Sequence, residues 1–233
     1  MFIAMVAVLV LVVGIAVLIP VVGGRSQRAA VRDNALRRTR AGYAVPMTTA
    51  APVTTTTDSG SLPQTDTFPA DDSTQFHSEM SALWNGIVTD SVSSSLPAFF
   101  PEHAYEQLKS IGDAQSDYED RLVRDFSLDI TAAHDLLGAE PSTVLVGVDV
   151  PAHYGHWVPP GVCDNRIGYF EVANSRIVYE QGGVTHSFGI ASLISWRGVW
   201  YVVHLGAILR STETGVVEDP ELGMGISEPS STC

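Results

Sequence analysis

The stretch from Phe2 to Val22 constrains this chain more than any other, because twenty-one consecutive residues carry no charged or strongly polar side chain. At about 1.5 Å per residue, a helix of that length reaches roughly 30 Å, the hydrocarbon thickness of a bilayer. A core helix of a globular domain would show a polar stripe, and this segment has none. A cleaved signal peptide would bring a basic leading segment, a shorter apolar stretch and a small-x-small cleavage site. None of these is found, and no lipobox cysteine follows. The segment reads as an uncleaved single-pass membrane anchor over residues 1–24.

Charge is divided sharply along the rest of the chain. Residues 25–40 hold six arginines (Arg25, Arg28, Arg32, Arg37, Arg38, Arg40) against one acid, Asp33, whereas from residue 41 onward seven basic residues face twenty-five acidic ones. The basic segment, residues 25–42, suits a short helix at the lipid headgroups. The acidic remainder disfavours nucleic acid as a partner, since both carry the same sign. Two signals then oppose each other on topology. Basic residues gather on the cytoplasmic side of a span, which places the domain inside. The Thr/Pro/Ser-rich tract over residues 43–74 reads as an extended stalk, which favours a domain outside the cytoplasm, in the cell envelope. Cys163 and Cys233 fit either one disulfide outside or two thiols inside.

Helical periodicity begins where the stalk ends. Phe76, Met80, Leu83, Trp84, Ile87 and Val88 recur at helical spacing, with Asp72, Ser73 or Thr74 as the cap. Pro101-Glu102 opens a second helix through about Ile111. A third keeps one apolar stripe through Tyr118, Leu122, Val123, Phe126, Ile130, Ala133 and Leu137, and stops at Gly138. Its other face, with Glu119, Asp120, Arg121, Arg124, Asp125, Asp129 and Asp135, reads as solvated. From Ser142 the period changes to two, through Val144, Val146, Val148 and Val150. Two hairpins follow: Gly168–Ala173 with Arg176–Glu180 across Asn174-Ser175, and Thr185–Trp196 with Val199–Ala207 across Arg197-Gly198. An acidic flexible tail is expected over residues 212–233. The fold class is α+β, with helices packed on a curved antiparallel sheet in one domain over residues 75–211.

Those turns fix which residues face one another. Trp196, Ile194, Ser192 and Ile190 would share an inner face with Val199, Tyr201, Val203 and Leu205, joined by Phe170, Val172, Ile177 and Tyr179. Trp200, Val202 and His204 would lie opposite Ser195, Leu193 and Ala191 on the second face. That face is too apolar for a wet surface, so something must cover it.

Helices followed by a meandering sheet that ends in Gly198-Val-Trp-Tyr-Val-Val-His204 resemble the nuclear-transport-factor-2-like (cystatin-like cone) superfamily. The arrangement of anchor, arginine/alanine helix and such a domain also resembles the Mce-associated membrane proteins of actinobacteria, and is similar to the periplasmic assembly subunit of type IV secretion systems. The long Thr/Pro tract departs from the Mce-associated pattern. The resemblance implies a cone-shaped domain. It does not choose a function, since relatives include isomerases, dehydratases and scaffold domains.

No Gly-x-Ser-x-Gly, phosphate loop, dinucleotide fingerprint or His-Glu-x-x-His occurs, so no catalytic residue, metal or cofactor is assigned. His153, His156 and Cys163 match no compact zinc spacing. His204 is the residue the terminal motif offers for acid–base work, but by the pairing above it points away from the covered face and has no carboxylate placed beside it. Glu171 and Arg176 read as a surface pair. The leading expectation is a non-enzymatic accessory protein, attached to the membrane by its first helix, that binds a protein partner or a second copy through Leu193, Trp200, Val202 and His204. The alternative is a small-molecule-binding or weakly catalytic domain with a pocket between helices and sheet lined by Trp84, Phe126, Tyr179 and Tyr201. A cavity of about several hundred Å³ holding a polar group would favour the second.

Overall fold

Ser73 starts the first helix: its hydroxyl accepts from the Phe76 amide at 3.1 Å, satisfying a donor that the helix itself leaves free. The computed structural model describes residues 58–138, 140, 142–210, 213–227 and 229. The expected anchor (residues 1–24) and basic segment (25–42) lie outside the described residues. Among those described, no helix is long and apolar enough to cross a membrane. The chain divides into Met1–Val53 and Thr54–Cys233, and everything below concerns the second unit.

Helices α1 (Thr74–Val88), α2 (Val92–Ser95) and α3 (Glu102–Leu108) come first. Then α4 (Ala114–Asp117) runs through a π-helical turn, Tyr118–Val123, into α5 (Arg124–Leu137). The apolar stripe explains that turn. Tyr118, Leu122, Phe126 and Ile130 are spaced by three successive steps of four, which drift around a regular α-helix of 3.6 residues per turn. The wider turn takes up the drift, and all four side chains are buried. The stop at Gly138 is as read, with a positive φ of 63°.

Six strands form one antiparallel sheet: β1 (Val144–Asp149), β2 (His156–Val158), β3 (Tyr169–Gln181), β4 (Val184–Trp196), β5 (Val199–His204) and β6 (Glu218–Leu222), ordered β1-β3-β4-β5, with β2 also on β3 and β6 also on β4. The last hairpin turns at Arg197-Gly198 as expected, both residues at positive φ. The first does not turn at Asn174-Ser175. Pairing runs unbroken from Glu171↔Ile194 to Gln181↔Val184, and the reversal is made by Gly182-Gly183, both at positive φ. Asn174 instead lies inside β3, in the left-handed region at φ 54°. Because β3 is one strand of constant register, Phe170 and Val172 lie on the opposite face from Ile177 and Tyr179, not with them.

The inner face packs under the helices. Phe100 meets the Trp196 and Tyr201 rings edge-on at 6.0 and 6.1 Å, and Trp84 lies 5.6 Å from Tyr179. Both chain ends of the unit depart from expectation. Residues 58–70 belong to the folded unit instead of forming free stalk: Trp196 Nε1 donates to the Ser59 carbonyl at 2.9 Å, Gln64 Nε2 donates to the Ser195 carbonyl at 2.8 Å, and Phe68 reaches the outer-face ring of Trp200. The expected flexible tail contains β6, paired with β4 through Gly189↔Glu218 and His186↔Leu222. That strand and the loop before it are held by a buried carboxylate on α5. Asp129 accepts from the Gly206 and Val216 amides, each at 2.9 Å, and from Arg210 at 2.8 and 3.0 Å. The face read as solvated therefore hides Asp125 and Asp129 beneath the C-terminal segment.

Candidate functional site

The expected docking face is present, but the chain itself covers it. Leu193, Trp200 and Val202 are fully buried. Phe68 stands edge-on against Trp200 at 5.6 Å and Phe170 at 5.0 Å, Trp157 stacks edge-on against Phe170 at 4.9 Å, and the Phe100 amide donates to the Val202 carbonyl at 2.9 Å. These three residues are core, not surface. Of the expected pocket residues, Phe126, Tyr179 and Tyr201 are buried in the core and Trp84 is half-buried against it. Phe126 stacks on Phe99 at 4.4 Å, and Trp84, Tyr179 and Tyr201 fill the space between helices and inner face. None of the four lines either of the two cavities described below.

His204, the fourth residue of the expected interface, is elsewhere, and a β-bulge is the reason. The β4–β5 register holds from Trp196↔Val199 to Leu193↔Val202 and then shifts, so that His204 pairs with Ser192 and not with Ala191. One extra residue in β5 moves His204 from the outer face to the inner one. There it joins a pocket of about 80 Å³ between α3, the π turn and the sheet.

That pocket has two kinds of wall. Leu108, Leu122, Ile194, Val203 and Ile208 supply an apolar side, and Tyr105, Lys109, Arg121, Tyr169, Glu171, Ser192 and His204 a polar one. Each polar group is placed by the local fold. The second helix ends at Leu108, short of the expected Ile111, because Lys109 turns into extended backbone and bridges to Asn165. The Ser110 amide then bonds the Asp164 carbonyl at 2.7 Å, and Lys109 Nζ reaches the Cys163 carbonyl at 2.9 Å. Burial, reinforced by the nearby Arg121 guanidinium, holds the Lys109 ammonium below its ordinary pKa. Arg121 Nε and Nη2 clasp the Asp117 carboxylate at 2.7 and 2.6 Å, and Asp117 also accepts a hydrogen bond from the Tyr105 hydroxyl.

Glu171 shares the inner face with Ile194, its register partner, and is buried. It is no surface partner of Arg176. That arginine is buried on the other face, bonded to Asp219 at 3.1 Å and Ser187 at 2.8 Å, beside a depression of about 480 Å³ under β6. Glu171 Oε1 accepts from the Ser192 hydroxyl at 3.1 Å, while Oε2 is buried with no hydrogen-bond partner. His156 Nε2 stands off at 3.8 Å. Burial and the charge of Arg121 pull the His204 pKa down to about 4, so the imidazole is neutral at physiological pH, and its nitrogens make no hydrogen bond among the described residues. Burial pushes the Tyr169 hydroxyl up to about 12. A carboxylate, a neutral imidazole, an ammonium and two phenols thus surround one small space, a donor and acceptor set for holding or protonating a polar molecule.

Sequence reasoning singled out His204 as an interface residue and missed it, Glu171 and Lys109 as pocket residues. The metal arrangement considered around His153, His156 and Cys163 has no thiolate to offer, since Cys163 is disulfide-bonded. Cys233, the only other cysteine of the sequence, lies outside the described residues.

A second buried acid lies away from the pocket. Glu79, on α1, accepts from Gln75 at 2.9 Å, and burial raises its pKa to about 7. A carboxyl whose folded pKa exceeds its unfolded value binds its proton more tightly when folded. Stability is therefore lost as pH rises from about 4.5 through 7. Glu79→Gln keeps the acceptor for Gln75 and is expected to stabilise the unit by up to about 3 kcal/mol above pH 7, with no gain below pH 4. Urea midpoints of the two proteins across pH 4–9 check this. A gain independent of pH would refute the buried charge as its cause.

Comparison of the chain with protein-family models, with curated proteins and with solved structures finds no match.

Proposed function

We propose that this protein is a membrane-tethered accessory protein whose domain, of the nuclear-transport-factor-2-like kind and lying outside the cytoplasm, holds a small polar molecule in the pocket beneath His204. The observation that carries this reading is Glu171, a buried carboxylate with one oxygen that accepts no hydrogen bond, lining that pocket with Lys109, Ser192 and His204. A buried acceptor left without a hydrogen bond is costly, and a bound donor would satisfy it. A pocket of about 80 Å³ is well below the several hundred Å³ of a drug-sized site, so the ligand has only a few heavy atoms. The apolar run over residues 2–22 supports the tether. The disulfide at Cys163 supports an oxidising compartment.

The competing expectation, docking through the second sheet face, has lost its exposed surface, because Leu193, Trp200 and Val202 are buried within the unit. The test uses the full-length chain in lipid nanodiscs with a panel of small polar fragments, read by saturation-transfer NMR. Ile208 sits at the pocket wall and is 43% exposed, so Ile208→Trp can fill the pocket without disturbing the core. Fragments that bind the native chain should lose binding in this variant. No binder in the panel, or binders indifferent to Ile208→Trp, would overturn the reading.

A further inference from the structure

We propose that the pocket takes a short zwitterion, its carboxylate on Lys109 and its ammonium on Glu171. This rests on the pocket reading above and assigns the ligand its chemical class.

The two charged groups are each incompletely satisfied. An ammonium carries three donors, and among the described residues Lys109 Nζ has one acceptor, the Cys163 carbonyl at 2.9 Å, and no ion pair. A carboxylate accepts at both oxygens. Glu171 uses Oε1 for Ser192 at 3.1 Å and leaves Oε2 buried without a hydrogen bond, with His156 Nε2 3.8 Å away. Both groups line the same pocket, yet they do not reach each other to pair. Opposite charges held apart across a small space suit a molecule that bridges them.

Simpler ligands satisfy only half of this. A lone anion on Lys109 would bring a second negative charge beside Glu171. A lone cation on Glu171 would face Lys109 and Arg121. A molecule with both charges meets each group with its opposite and brings no net charge into a buried site. Asp117 already occupies Nε and Nη2 of Arg121, so among the described residues Lys109 is the cation of the wall not held in an ion pair. His204, neutral and facing the space, can donate to or accept from the bound molecule. The apolar wall of Leu108, Leu122 and Ile194 leaves room for a small aliphatic part.

The experiment is calorimetric titration of the full-length chain in nanodiscs with glycine, β-alanine, propionate and propylamine. The expected result is saturable binding of at least one zwitterion, with propionate and propylamine weaker by about tenfold or more. Two variants then read the two ends. Lys109→Met should weaken the zwitterion by about tenfold and shift preference towards propylamine, and Glu171→Gln should weaken it similarly and shift preference towards propionate. A merely structural role for these residues would lower all binding without reversing the preference, and that result overturns the proposal. Native binding of propionate as tight as that of the zwitterions also overturns it. If no probe of any charge class binds and the fragment panel is likewise silent, the pocket reading falls with it. Fragment binding lost in Ile208→Trp, with zwitterions inert, sinks the zwitterion alone.

Discussion

Trp200→Glu is expected to unfold the domain, not to alter its self-association. Trp200 is fully buried on the outer face of the sheet, with Phe68 edge-on at 5.6 Å, and its indole nitrogen has no hydrogen-bond partner among the described residues. Losing the ring therefore costs packing alone, about 3–5 kcal/mol for truncation to alanine. Glutamate adds the desolvation of a carboxylate with no cation beside it. Together these approach or exceed the roughly 5–15 kcal/mol that holds an ordinary domain folded. The variant should show no cooperative urea transition, whereas Trp200→Phe should retain one at a lower midpoint. If Trp200→Glu instead unfolds at the native midpoint and only its association state changes, the face is open in solution. Phe68 would then not cover it.

That outcome bears on what could be read from the residues alone. The outer face was legible as too apolar for water, and the inference that something covers it was sound. The cover was not legible, because Ser59, Gln64 and Phe68 lie in a Thr/Pro/Ser tract whose composition is that of a free stalk. Helices α1 and α5 announced themselves because an amphipathic stripe is a local signal. The β3–β4 hairpin was misplaced because Asn174-Ser175 and Gly182-Gly183 are both chemically competent turns, and only the partner strand decides between them. The site failed for a related reason. A two-residue turn fixes register near itself, but the bulge between Ser192 and Leu193 lies four residues further along and has no glycine or proline to mark it. One residue of slip was enough to turn His204 into the pocket. Glu171 was misread with it, since the wrong hairpin put it on the wrong face. Residue types were readable throughout, whereas the pairing that brings Lys109, Glu171 and His204 together is long-range and leaves no local trace.

Asp129→Ala should be nearly as damaging as the loss of Trp200, through charge instead of volume. The Asp129 carboxylate is 1% exposed and accepts four hydrogen bonds: two from the backbone amides of Gly206 and Val216, and two from Arg210. Arg210 is itself only 9% exposed and, among the described residues, has no other close carboxylate than Asp125, 3.6 Å from its Nε. Alanine would leave a buried guanidinium short of its counter-ion and two amides without acceptors. Removing one partner of a buried pair costs about 3–5 kcal/mol. The close fit shows how fully the segment depends on this one side chain, since a Cβ on Gly206 would come within 2.9 Å of the Asp129 carboxyl carbon. The loss should begin locally. Hydrogen exchange is expected to accelerate first in residues 206–222, including β6, before the helices and β3–β4 respond. The pocket should register it too, because Ile208 forms part of its wall and the Arg210 charge helps keep His204 neutral. Arg210→Met in the Asp129→Ala background removes the stranded cation and should restore a substantial part of the stability. If the double variant is no more stable than Asp129→Ala, the four hydrogen bonds and not the buried charge hold the C-terminal segment in place.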